Sequence, residues 1–236
     1  MSLDARQLEA AQRTAAKVAG SLYVTVMAIS LFAELYLRAP LLVRGDAVRT
    51  AQNIVAAEFR FRLSIVSILM MVVGNIVLLF ALYVVLARVN RHLALLAAFL
   101  RVVECAIFAV SAFSDFIALR FLGDADYLRV FQKDQLQALA RSFIGARHDA
   151  GLIGGIFLGV GSTLFAYLWF KSRYIPRALA AWGILASLAL AVGILGMMLF
   201  PALAPILGAA YWAPFFIFEV FLGLWLLIKG IQLPVE

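Results

Sequence analysis

A single cysteine, Cys105, leaves the chain without the partner an internal disulfide needs. Only two histidines are present, His92 and His148, and no Cys/His spacing matches a zinc, haem or iron–sulfur site. No metal and no cofactor is therefore expected. Charge is scarce as well: Asp, Glu, Lys and Arg make up 14% of the 236 residues, where a soluble domain carries about a quarter. The chain also lacks a glycine-rich phosphate loop, a His–Glu zinc helix and a serine–histidine pairing. Any enzyme chemistry would have to be built from carboxylates and arginine.

What is abundant is apolar. Hydrophobic residues make up 65% of the chain, and several runs exceed the roughly 18 residues that mark a membrane-spanning helix. The expected fold is an all-α polytopic membrane protein, six transmembrane helices with two longer amphipathic connections. The whole of residues 1–236 is read as a single six-helix transmembrane domain. The net charge of +7 suits loops that meet anionic lipid headgroups, so membrane lipids are the expected partners and nucleic acid is not.

In chain order, Met1 to Lys17 is polar and helix-prone. Its acidic residues and late apolar start argue against a cleavable signal peptide and for an amphipathic surface helix. Span one is read from Val18 to Leu37, and Arg38 to Arg62 is too polar to cross. Asp46 is placed to cap a short helix running through Phe61, although Glu58 then falls among its apolar positions. Span two is Leu63 to Ala87, and a short link from Arg88 to His92 makes a tight hairpin with span three, Leu93 to Leu119.

A second long connection runs from Arg120 to Asp149. There Leu128, Phe131, Leu136, Leu139 and Phe143 share one helical arc opposite Arg129, Lys133, Asp134, Gln137 and Arg141, the pattern of an amphipathic helix at the membrane surface. Span four, Ala150 to Phe170, opens with Gly151, Gly155 and Gly159 at four-residue spacing. That glycine face admits a close helix neighbour, either within the monomer or in an oligomer. Spans five and six are Ala178 to Phe200 and Phe215 to Ile228, joined by an uncharged link from Pro201 to Pro214. Basic residues are densest in the two short links, which puts both termini on the cytoplasmic side of a bacterial inner membrane.

Span three carries charge where charge is expensive. Arg101, Glu104 and Asp115 stand three and eleven residues apart, spacings that return to nearly one helical face. Ionisable groups at membrane depth cost a few kcal/mol or more, so they face protein or water. At about 1.5 Å per residue, Arg101, Glu104, Glu219 and Asn75 fall in one layer about 12 to 18 Å from a common face. Glu34 and Asp115 fall nearer the opposite face. These six residues are the candidate ligand-binding set.

Further residues are similar to a bacterial family. Gly45-Asp46 with Thr50 and Asn53, Leu82-Tyr83, Arg101 with Glu104, and the run Ser172-Arg173-Tyr174-Ile175-Pro176-Arg177 belong to that pattern. So do Glu219, Trp225-Leu226-Leu227 and Lys229-Gly230. Over nearly its whole length the chain resembles the multi-spanning membrane proteins known as domain of unknown function 4386. The resemblance implies a multi-helix membrane fold and no defined activity.

Three functional readings follow from the polar layer. It binds or moves a small or amphiphilic ligand, it serves an intramembrane enzyme through its carboxylates, or it locks the packing of a structural or accessory subunit.

Overall fold

The computed structural model describes residues 3–207 and 211–232, with side chains from Gln7 onward. Met1 and Ser2 of the expected surface helix, and residues 208–210 of the uncharged link, lie outside the described residues. The chain is an all-α polytopic membrane protein, and no strand occurs among the described residues. Five helical stretches are long and apolar enough to cross a membrane: Gln7–Leu41, Glu58–Leu86, Arg91–Phe121, Lys133–Ser172 and Arg177–Leu199. The sixth expected span is the apolar helix Ala213–Ile228 of 16 residues. It rises about 24 Å, short of a hydrocarbon core of about 30 Å.

Helix α1 runs from Leu3 to Phe32, so the polar N-terminal stretch and span one form one continuous helix. A π-helical turn, Ala33–Arg38, follows, and Pro40 sits in a 3₁₀ turn over Ala39–Leu41 that ends the segment. Helix α2, Ala47–Ala56, starts where expected: the Asp46 side chain accepts from the Arg49 N–H at 2.8 Å. It stops earlier than expected. Ala57 leaves helical geometry, and Phe59 to Arg62 belong to helix α3, Glu58–Leu86. Glu58 is thus an exposed first-turn acid paired with Arg62 at 2.6 Å, which removes the conflict seen in the sequence.

Asn90 accepts from the Leu93 N–H at 3.0 Å and opens helix α4, Arg91–Phe121. The second long connection differs from the expected single amphipathic helix. A 3₁₀ turn, Asp126–Val130, gives way to extended backbone at Phe131. Helix α5 then runs unbroken from Lys133 to Ser172, about 60 Å of rise. Continuity with span four fixes which face turns inward. Gln137, Ala140 and Ile144 are buried, while Phe131 and Leu139 of the expected apolar arc are exposed.

Arg173 adopts a left-handed conformation, φ 58°, ending α5 ahead of Pro176. Helix α6 is Arg177–Leu199, helix α7 the single turn Ala204–Leu207, and helix α8 Ala213–Ile228 with Pro214 in its first turn.

The chain divides into two compact units. The first is drawn from Met1–Met27, Gly74–Cys105 and Ile153–Glu236. Inside it the helices touch backbone to backbone. A Cβ on Gly20 of α1 would stand 2.7 Å from Leu227 N and 2.8 Å from Gly223 O of α8. A Cβ on Gly159 of α5 would meet Ser187 O and the Ala191 Cβ of α6, each at 2.8 Å. Gly155 likewise faces Ile194 of α6. Small residues allow this approach where apolar association alone gives no drive. The second unit comprises Ala28–Val73 and Ala106–Leu152. Gly151 belongs to it and faces open space.

Candidate functional sites in the two units

In the first unit Arg101 of α4 meets side chains of its own helix, of α5 and of α8. Its Nε lies 2.9 Å from Glu104 Oε2, one turn along α4. Its Nη1 donates to Ser162 Oγ of α5 at 2.7 Å and lies 3.6 Å from Glu219 Oε1 of α8. One guanidinium therefore ties three helices. The Arg101 and Glu104 side chains are 3% and 4% exposed, and Glu219 is 13% exposed. Tyr23 of α1 is buried within electrostatic reach of all three charges.

Room for Arg101 comes from Gly161. A Cβ there would stand 2.8 Å from Arg101 Cγ and 3.1 Å from Ala97 O. The Arg101–Glu104 contact is one of charge without hydrogen-bond alignment, so Nε and Oε2 keep unused capacity. Within this layer two carboxylates share one guanidinium.

Asn75 is buried in the same unit and takes no part in the ion pairs among the described residues. Cys105 is buried and free.

Glu34 and Asp115, read from the sequence as part of the same polar set, belong to the second unit, where they join two arginines. Arg38 Nη1 donates to Asp115 Oδ2 at 2.6 Å, and its Nη2 donates to Ile144 O at 3.1 Å. The guanidinium carbon of Arg38 lies 5.6 Å from the centroid of the Phe61 ring. Arg147 Nη2 pairs with Glu34 Oε2 at 3.0 Å, while its Nη1 lies 3.8 Å from Asp115 Oδ2. Exposure is graded, from Glu34 at 50% through Arg147 at 20% to Asp115 at 0%. Charge balances here, two against two.

The π turn places Glu34 and Arg38 on this cluster, and Arg60 of α3 donates to Tyr36 O within the same turn. Such turns often occur at functional sites.

Arg38 and Arg147 fall in the two long polar connections and are not in the candidate set. The available signal was the four-residue interval from Glu34 to Arg38, and a carboxylate at 115 in need of a cation. Ser162 and Gly161 lay within a run of small residues that gave no sign of facing Arg101. Among the described residues, no group of three or more His, Cys, Asp or Glu side chains is placed to hold a metal ion.

The family model described as a domain of unknown function, DUF4386, matches residues 18–230. The chain belongs to this family. The matched region holds both ion-pair clusters, and with them every residue of the candidate set. No curated protein and no solved structure matches the chain. DUF4386 membership thus brings no activity with it, and the chemistry has to be argued from the side chains.

Proposed function

We propose that this DUF4386 protein is a bacterial inner-membrane protein with cytoplasmic termini that binds or moves a small or amphiphilic ligand at the Arg101–Glu104–Glu219 layer. The observation that carries this reading is the imbalance in the layer: two carboxylates, one guanidinium, and little exposure. Arg101 is committed to Glu104, Ser162 and Glu219 together. Glu219, the most exposed of the three charged groups, is the one open to an incoming polar or cationic group. Ionisable residues within spans that share such a layer mark substrate or ion pathways more often than packing accidents.

Native mass spectrometry in mild detergent tests the reading on wild type, Arg101→Ala and Glu219→Gln. Retention of a small molecule or lipid by wild type and its loss from both variants is the expected result. If wild type retains nothing and the variants lose only thermal stability, binding is refuted.

One specific observation favours a second reading. Arg101 joins α4, α5 and α8 while almost fully buried, so the cluster also serves to fix helix packing, a role buried pairs fill with little net stability. Under that reading alone, thermal stability would be the only property to change.

A further inference from the structure

A cavity lies within the second unit, and no residue of that unit's ion-pair cluster lines it. Its volume is about 470 Å³, within the range of small-molecule sites. Gln52 of α2, Asp124 after α4, and Lys133 and Gln137 of α5 line it, with Phe121 and Leu136 among its apolar wall. Gln137 is 9% exposed and makes no hydrogen bond among the described residues. Its amide nitrogen and oxygen are not among the sealed-off polar atoms, so the amide is open to the cavity and free to bond to a ligand there. Lys133 and Asp124 also make no ion pair among the described residues. The cavity therefore offers an uncommitted cation, an uncommitted anion and two amides over an apolar wall.

These groups complement a zwitterion attached to hydrocarbon. The connections that line the cavity follow the first and third spans, so both emerge on one membrane face. Apolar side chains of the segment that leads into Lys133 are exposed, Val130 at 82% and Phe131 at 47%. In a membrane protein such residues rest at the headgroup and acyl boundary.

We propose that this cavity binds the headgroup of a zwitterionic aminophospholipid. Its phosphate meets Lys133, its ammonium meets Asp124, and Gln52 and Gln137 bond the ester and phosphate oxygens. The carbons next to the headgroup rest on Phe121 and Leu136. This inference stands independently of the reading at Arg101.

The test is lipid retention by the full chain in mild detergent, read by native mass spectrometry with equimolar phosphatidylethanolamine and phosphatidylglycerol. Wild type is expected to favour phosphatidylethanolamine. Asp124→Asn should lower that preference about threefold to tenfold while leaving phosphatidylglycerol retention in place. Lys133→Gln should lower retention of both lipids by a similar factor. Both side chains are exposed, so both variants should keep the wild-type melting temperature.

Equal retention of the two lipids by wild type would overturn the proposal, as would an unchanged preference in Asp124→Asn. Soluble glycerophosphoethanolamine competing as well as the lipid would also overturn it, by showing that the apolar wall holds no acyl chain.

Discussion

Removing the Arg101 side chain leaves Glu104 and Glu219 buried without their counterion. Arg101→Ala should therefore lose about 3–5 kcal/mol of stability, read by chemical or thermal unfolding in detergent. Glu219→Gln keeps the shape of the side chain and removes the more distant pair, so its cost should be about 1 kcal/mol. A similar pair of losses would contradict the geometry, which sets Glu104 at 2.9 Å and Glu219 at 3.6 Å from Arg101. Gly161→Ala pushes a methyl group against Arg101 Cγ and Ala97 O, and should cost about 1–3 kcal/mol. In the second unit Asp115 is fully buried against Arg38. Asp115→Asn should destabilise by about 3–5 kcal/mol.

At the scale of elements, the long apolar runs were legible because each span needs a length and composition that little else in a protein shows. The cap at Asp46 was equally legible, since a short polar side chain ahead of a helix has a definite bond to make. The end of α2 was not. Phe59 and Phe61 continued an apolar pattern that α3 adopts for itself after the break at Ala57. The connection before span four misled for a related reason. Leu128 to Phe143 carries helical periodicity, but that pattern does not show that α5 begins at Lys133 and continues to Ser172. The register of the long helix then turns Gln137, Ala140 and Ile144 inward. The αL turn at Arg173 also gives a prediction. A non-glycine residue there is strained by roughly 1–2 kcal/mol, so Arg173→Gly should raise stability by about 1 kcal/mol in thermal unfolding.

For the whole molecule, membrane insertion rests on the long apolar helices, while the proposed orientation rests on the density of basic residues in the short links. The one native cysteine is buried, so single-cysteine labelling of intact cells can read topology against a silent background. Cysteines placed at Asn90 and Arg173 should label only after the inner membrane is opened. Cysteines at Gly45 and Asp126 should label from outside. The reverse pattern would invert the orientation.

Arg101, Glu104, Asp115 and Glu219 were legible as buried charge because ionisable residues stand out in apolar runs, whereas Glu34 is half exposed. The rise per residue already set Glu34 and Asp115 nearer the opposite face from Arg101, but the partners of each group were not legible from spacing within span three. Arg101 with Glu104 draws on α5 and α8, whereas Asp115 draws on Arg38 and Arg147, and those partners are distant in sequence.

The most direct test of the binding role replaces the whole layer with apolar residues, Arg101→Met, Glu104→Met and Glu219→Met together. Replacing a complete buried ion cluster is often neutral or stabilising, unlike breaking it. The account predicts a triple variant that melts at or above the wild-type temperature and retains none of the ligand that wild type carries in native mass spectrometry. A triple variant that keeps the same bound species would contradict it.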